Sequence, residues 1–461
     1  MKRGGQICAV GGFLGFFGWN FAKNIRHTDF FSNFVIGKQY LYALKMSLLQ
    51  LLDDKGAWLD FLEYKRRLLP PKCNFLKRLE KYVAQEGYHE IATGLMSGSY
   101  HYDLPTKTTI NKNGTSKKRV IYRFDWRETM VLKLLTHLLY KYDYKICGNC
   151  YSFRRNTTAK DAVNAVSRIK KLDQKFVLKI DVSNYFNSIP SSQLADAIAA
   201  TIDDDPQLAA FIIRLIKEDA AYLYGNGTRT LIRENRGAMA GVPVSAFCAN
   251  IYLDSLDRQF EGMGVDYFRY SDDILIIADS MSKVEEYQRI VNDCLSVKGL
   301  KINEKKLHIS RPGEGFDFLG FVFYDGNIDL AASTLQKAKA KIRRKAKSLM
   351  RRRNRLGESF DMAASDLAAH FNRKFYDEEH DNGFTWSRWF FPSITTSKSL
   401  KIIDQYLEQY MRYLSTGRHT KKNYNVRYET LKELGFRSLV AEYYNFISEL
   451  CTPRACRHDS E

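Results

Sequence analysis

The chain has 461 residues, 45% hydrophobic and 13% aromatic, which is ample for a folded core and excludes a disordered or low-complexity protein. Lys and Arg outnumber Asp and Glu by 71 to 52, a formal net charge of +19. That excess favours a polyanionic partner over a small neutral substrate, because each phosphate contact releases condensed counterions.

The opening stretch MKRGGQICAVGGFLGFFGW sets Lys2 and Arg3 before an apolar run, as a secretory signal does. Six glycines from Gly4 to Gly18 interrupt it, and no small-x-small cleavage site follows. No run approaches the ~20 apolar residues of a membrane helix, so no membrane partner is expected. Eight cysteines in so long a chain do not make a disulfide scaffold, and the expected compartment is the cytoplasm. Residues 34–69 read as helical, with Leu41, Leu44, Leu48 and Leu52 at helical spacing and Pro70-Pro71 as the stop. Asn113-Gly114 is a turn signal between two β-prone runs and predicts a basic hairpin. Helical spacing returns from Trp126 to Tyr142. Cys147 and Cys150 have metal-ligand spacing, but the other set (Cys451, Cys456, His458) is loose and sits in the tail, so ordinary thiols are expected.

FVLKIDVSNYF (176–186) has a buried-strand pattern. Helices are expected across 191–224 with a break from Asp203 to Pro206, and again after the Gly/Pro loop that opens 236–257. A hairpin follows, carrying Asp272 and Asp273 at its tip, then a helix over 282–298 and a second hairpin over 316–330 turning near Asp325-Gly326. Beyond 331 the pattern is helical and basic: eleven cations and no acid lie between Leu335 and Arg355, while Leu335, Ala338, Ile342, Ala346 and Leu349 keep one apolar face. A second amphipathic helix, SLKIIDQYLEQYMRYLSTG, is closed by Gly417.

An acidic pair in a turn is common. Here the flanking strands are hydrophobic enough to be buried, so the tip faces a cleft and needs a compensating charge. Asp181 closes a strand much as Asp272 follows one. If the two strands are neighbours, the carboxylates converge into an oxygen-rich site of the kind that suits Mg2+. Two such ions beside a basic surface point to nucleotidyl transfer on a nucleic acid.

The order of the segments resembles that of reverse transcriptases, from about Leu104 to Leu330. KKRVIYRF resembles the fingers motif, NCYSFRRNTTAKDAV the motif around a G-F-R core, and KIDVSNYFNSIP the first catalytic motif. GVPVSAFCANIYLDSLD resembles the nucleotide-facing loop and helix, YSDD the Y-x-D-D box, and GLKINEKKLHI and FLGFVF the last two palm motifs. The resemblance implies an α+β right-hand polymerase: an N-terminal helical extension (1–71), fingers and palm of antiparallel sheet plus helices (72–330), and a helical basic thumb and C-terminal region (331–461).

Carried over residue by residue, it implies that Asp181, Asp272 and Asp273, with the Val182 carbonyl, hold two Mg2+ ions. Phe186 would lie under the sugar and exclude a 2′-hydroxyl. Lys112, Arg119, Arg154, Gly241 and Lys306 would bind the nucleotide, and Phe318, Leu319 and Gly320 would grip the primer. Arg343, Arg344, Lys347 and Arg351 of the cationic helix would contact the duplex backbone. The sequence departs from the family at Ala240, where Gln is usual, at Ala246, where Pro is usual, and at Ser152, where Gly is common.

The sequence offers no second acidic cluster for ribonuclease H, no HNH-like histidine set and no protease triad. The segments FTWSRWFFPSITTSKSLKIIDQYLEQYMRYLSTG and KNYNVRYETLKELGFRSLVAEYY resemble the C-terminal regions of bacterial defence-associated, non-retron reverse transcriptases. This implies a dedicated non-coding RNA template, a cDNA product made from deoxynucleoside triphosphates, and anti-phage defence, with self-association left open. A retron-type enzyme, a template-independent polymerase and a catalytically idle RNA-binding module are the alternatives. The charge predicts RNA affinity that falls steeply between about 50 and about 400 mM salt in a filter-binding titration, and a flat profile would exclude a phosphate-dominated interface.

Overall fold

The computed structural model describes residues 47–451 apart from short breaks at 70–72, 112–117, 226–227, 236 and 377–385. The glycine-interrupted N-terminal stretch, Lys112, the Asn113-Gly114 turn, and Cys456 with His458 lie outside the described residues. Three sheets organise the fold. Strands β1 (Thr106–Asn111) and β2 (Lys118–Arg123) form the expected basic hairpin, antiparallel with Ile110 opposite Arg119. After them run β3 (Phe176–Asp181), β4 (Ala220–Gly225), β5 (Thr228–Arg233), β6 (Tyr267–Tyr270), β7 (Asp273–Ala278), β8 (His308–Ser310), β9 (Phe316–Phe318), β10 (Phe321–Tyr324) and β11 (Asn327–Leu330). The strand orders are β2-β1-β4-β5, β6-β7-β3-β8 and β11-β10-β9.

Two expectations are corrected. The helical stretch does not run to residue 224: the helix Pro206–Lys217, started by an Asp205 cap and Pro206, ends there, and 220–225 form β4. β4 adds in parallel to the open edge of β1, with Thr106 opposite Tyr222, and pairs with β5. Local helical spacing lost to a sheet edge that only the fold supplies, although Asn226-Gly227 is itself a hairpin signal. The region 316–330 is a three-stranded meander, with tight turns at Leu319-Gly320 (φ +48° and +92°) as well as Asp325-Gly326 (φ +46° and +70°).

The sheet β6-β7-β3-β8 separates two cores. Leu178, Ile180, Ile274 and Ile276 pack with the helices Ser245–Tyr252 and Met281–Val297, in a cluster that reaches Trp58 and Phe61 of the helix Lys55–Leu68. Val177, Leu275 and Ile277 belong to the other core, with the helix Ala159–Ser167, β9 to β11 and the C-terminal helices. Period-two alternation thus assigns successive residues of β3 and β7 to opposite cores.

The cationic helix spans Ala332–Leu356 and buries Ala338, Ile342, Ala346 and Leu349 against the helices Phe360–Tyr376 and Lys398–Thr416. Gly357 and Gly417 close two of these helices in the left-handed conformation. Arg353 fastens the bundle by donating from its Nε and Nη1 to the carbonyls of Glu358, Leu414 and Ser415. Ile342→Ala should lower unfolding free energy by about 2–5 kcal/mol in urea titrations, whereas exposed Lys347→Ala should stay within about 0.5 kcal/mol.

Candidate active site

β3 and β7 run antiparallel with Asp181 directly opposite Asp273, Lys179 opposite Leu275 and Val177 opposite Ile277. These residues share the face turned towards the second core. Like charges placed opposite each other destabilise a ladder, and Asp181 is only 4% exposed. Its carboxylate is compensated by an ion pair from Lys306 to Oδ1 and by Asn303 Nδ2, which donates to Oδ2 at 3.0 Å. Asp272 lies in the two-residue turn before β7, made possible by a left-handed Ser271 (φ +62°). The Val182 N–H donates to the Asp272 carbonyl at 3.0 Å, so the turn is tied to the end of β3.

The electrostatics follow from this crowding. Burial, then the neighbouring Asp272, pushes the Asp273 carboxyl up to about 6, with Lys179 pulling the other way. Burial likewise raises Asp272, its own backbone N–H and the cations Lys306 and Arg119 opposing while Asp181 adds to the rise. Burial works against the Lys306 charge, but its hydrogen bond to Asp181 and the three carboxylates outweigh it and raise its pKa. The donors are hard carboxylate oxygens at the end of a cleft, and their raised affinity for positive charge fits a divalent cation. Among the described residues no three His, Cys, Asp or Glu side chains already surround one point in ligating geometry, and the Lys306 ammonium holds one Asp181 oxygen.

Phe186 stands just beyond Asp181 and is half-buried, its carbonyl accepting from the Ala238 N–H at 2.7 Å. The loop beneath it is pinned through backbone groups. The Ala240 N–H donates to Asn187 Oδ1 at 3.0 Å, and the Tyr122 N–H of β2 donates to the Ala240 carbonyl at 2.8 Å. A side chain at Gly241 (φ +100°) would be strained, and its Cβ would crowd the Tyr122 carbonyl oxygen at 3.0 Å. The loop therefore joins the fingers hairpin to the acidic site without help from the Ala240 side chain. Arg119 is exposed on β2, and its charge opposes the rise at Asp272.

A cleft of about 1250 Å³ opens beside Asp273, lined by Lys179, Lys306, Leu319, Gly320, Lys337, Lys341, Lys374, Trp386 and Trp389 among others. Of the three residues expected to grip the primer, Leu319 and Gly320 line this cleft. Phe318 does not: its ring is fully buried in the second core, because it precedes the turn on the inward face of β9. The four cations expected to contact a duplex, Arg343, Arg344, Lys347 and Arg351, are exposed further along the helix, whereas Lys337 and Lys341, four residues apart on its first turns, face the cleft. Phe391 is buried away from the cleft, while Trp386, Trp389 and an edge of the largely buried Phe390 line its wall.

Arg154 is turned away from the acids. Its guanidinium donates to the carbonyls of Cys147 and Cys150 (both 3.2 Å) and Asp143 (3.4 Å), a backbone role that spacing alone could not reveal. Burial pushes the Cys147 thiol up to about 12 and also raises that of Cys150, which opposes the thiolate a metal needs.

Sequence reasoning missed the buried network under the acidic turn. Arg269 and Asp257 are both fully buried and ion-paired, and the Tyr267 hydroxyl donates to Asp257 Oδ1 at 2.8 Å. Arg269 also donates to the carbonyls of Asn250 (3.0 Å) and Ser271 (3.3 Å). Ser152 Oγ donates to Asn250 Oδ1 at 2.8 Å and accepts from the Ser271 N–H at 2.9 Å. Both backbone groups of the left-handed Ser271 are thereby held. The signal was present in the Arg of FRYSDD and the final Asp of LDSLD. Lys179 was missed as well, although alternation from Asp181 puts it on the cleft face.

Residues 110–323 match the family model described as reverse transcriptase (RNA-dependent DNA polymerase). The chain therefore carries a reverse transcriptase domain, and its sheets and basic helical bundle make up a right-hand polymerase fold. Among curated proteins, the Retron Ec86 reverse transcriptase of Escherichia coli is 31% identical over 106 residues, covering 22% of this chain and 33% of the relative. The Retron Mx65 reverse transcriptase of Myxococcus xanthus is 23% identical over 145 residues, covering 30% of this chain and 34% of the relative. The matched segments thus span about a third of each relative. Among solved structures, apo telomerase from Candida tropicalis superposes with a TM-score of 0.45 at 12% identity, covering 78% of this chain and 66% of that one. The RNA polymerase complex inside a dsRNA virus gives a TM-score of 0.48 at 11% identity, covering 80% and 33%. Among the described residues no helix is long and apolar enough to cross a membrane.

Arg269→Met leaves Asp257 buried and unpaired and should cost about 3–5 kcal/mol in equilibrium unfolding, while the double variant Arg269→Met, Asp257→Leu should recover a large part of that loss.

Proposed function

We propose that the chain is an RNA-directed DNA polymerase that makes cDNA from a dedicated non-coding RNA in the bacterial cytoplasm, in defence against phage. The observation that carries the catalytic part is the placement of Asp181 opposite Asp273, with Asp272 on the adjoining turn, at the end of a lysine-lined cleft inside the matched segment. The match to reverse transcriptases supplies the direction of synthesis, and the resemblance of the C-terminal segments supports the defence role. The family resemblance divides the chain into an N-terminal extension (1–71), fingers and palm (72–330), and thumb with C-terminal region (331–461), while Trp58 and Phe61 of the extension pack into the same core as the palm strands.

Asp181, Asp272 and Asp273, with the Val182 carbonyl, would hold two Mg2+ ions, which supply activation of the primer 3′-hydroxyl and charge neutralisation at the leaving pyrophosphate. The chain's own groups do the rest. Phe186 fills the space a ribose 2′-hydroxyl would need. Arg119, with Lys112 of the same basic segment, bears on the triphosphate through charge-assisted hydrogen bonds. Lys306 neutralises Asp181 until substrate arrives and then lies near the departing phosphates. The Leu319-Gly320 turn seats the primer end, and Lys337, Lys341 and Lys374 follow its phosphates, with Arg343, Arg344, Lys347 and Arg351 contacting the duplex further out.

The retron reverse transcriptases among its relatives favour a second reading, in which synthesis starts from a 2′-hydroxyl of the template RNA and leaves cDNA covalently joined to RNA.

The test is to purify the protein from cells carrying its native flanking DNA and to sequence the RNA and DNA that accompany it, alongside the Asp272→Ala, Asp273→Ala variant. One RNA species with complementary DNA, the DNA alone lost in the variant, is the expected result. DNA without a complement in the bound RNA would show untemplated synthesis. RNA without DNA in both samples, before and after phage infection, would leave only a binding module. A ribonucleotide left on the DNA 5′ end after ribonuclease digestion, joined through its 2′-oxygen and released by a 2′,5′-debranching enzyme, would establish retron-type priming.

A further inference from the structure

Phe153 has an unusual position. It is an aromatic residue in the left-handed backbone region (φ +54°), yet 42% exposed, so burial of its ring does not explain the conformation. Both chain neighbours are pinned. Ser152 is fully buried and bound to Asn250 and Ser271, and Arg154 is committed to the carbonyls of Asp143, Cys147 and Cys150. The loop is thus anchored on both sides of one outward ring. That ring meets Phe186 edge-on (centroids 6.3 Å apart, 79° between planes) and also contacts Tyr270 (6.2 Å, 42°). Tyr270 closes the hairpin that carries Asp272 and Asp273. Behind Phe153, a small cavity of about 100 Å³ is lined by Leu139, Tyr140, Ala246 and Phe247, so the ring has room to be displaced if nothing holds it.

We infer that Phe153 is a specificity-determining residue for the sugar of the incoming nucleotide: its ring is the second wall of the deoxyribose pocket and holds Phe186 in the position that excludes a 2′-hydroxyl. The inference rests on the DNA polymerase reading given above. Phe186 is only half-buried and sits on a four-residue helix, so a neighbouring ring is needed to keep it from turning aside when a ribonucleotide presses on it. The apolar contact with Tyr270 couples that wall to the acidic turn. Phe153 is a positioning residue with respect to Phe186, and its exposed edge is free to touch the sugar.

The experiment compares kcat/KM for dTTP and UTP on an oligo(dT)-primed poly(rA) template with the wild-type full chain, Phe153→Ala, Phe153→Leu and Phe186→Ala. Phe153→Ala should lower the dTTP/UTP ratio by about tenfold or more, within the range a pocket contact controls, mainly through faster UTP use. Phe153→Leu, which keeps apolar bulk, should retain most of the ratio. General damage to the fold would slow both nucleotides alike and leave the ratio unchanged, so it cannot imitate this result. If Phe186→Ala relaxes the ratio but Phe153→Ala does not, the inference is wrong and the polymerase reading stands. If neither variant changes it, the gate itself is wrong and the inference goes with it. Wild-type protein that incorporates no deoxynucleotide either on this template or on the RNA that copurifies with it would overturn the reading and the inference together.

Discussion

The Asp181 and Asp273 carboxylates oppose each other across the β3–β7 ladder, with Asp272 one residue away on the turn. A sheet would not place like charges there without compensation, and much of the surrounding structure supplies it. Lys306 and Asn303 hold Asp181 from the segment that leads into β8, and Lys179 acts on Asp273 from the same face of β3. The long cationic helix sets Lys337 and Lys341 along the adjoining cleft. Burial first, and then the neighbouring carboxylates, raise the carboxyl pKa values of Asp272 and Asp273, while the cations Lys306, Arg119 and Lys179 oppose the rise.

Rigidity comes from below. The fully buried Arg269–Asp257 pair is an expensive feature in a core, since desolvating two charges offsets much of their attraction. Its geometry explains why it is there. The guanidinium reaches the Ser271 carbonyl, while Ser152 takes the Ser271 N–H, so a left-handed residue directly before the acids is held through both backbone groups. The same Ser152 anchors the loop that presents Phe153. One buried polar network thus bears on the acidic turn and on the loop that carries Phe153, and sets them relative to each other.

Three departures from the family pattern acquire a physical meaning. At Ala240 the loop is fixed through its backbone N–H and carbonyl, so the missing side chain leaves the loop's position unaffected. Ser152 contributes a hydroxyl that joins Asn250 to Ser271, a link no glycine could make. Ala246 lines the small cavity behind Phe153, where it limits how tightly that ring is packed.

By itself the sequence determined the elements whose pattern is local or strongly ordered: the strand ending in Asp181, the Asp272/Asp273 hairpin, the amphipathic cationic helix with Ile342 and Leu349 on its buried face, and the closing Gly417. Period and turn chemistry are short-range properties, so they can be read from neighbours in the chain. Tertiary structure alone decided what depends on pairing between distant segments. Residues 220–225 became a strand because β1 offered an edge, against their local helical pattern. Phe318 went inward and Leu319-Gly320 outward because the meander has a turn there. Arg154 was drawn to backbone carbonyls, and Lys337 and Lys341, not the cations further along, met the cleft, because helix phase and docking angle set which charges converge. The opposition of Asp181 and Asp273 is the clearest case. Each acid is visible in the sequence, but strand register brings them together, and register is set by which faces of β3 and β7 each core buries.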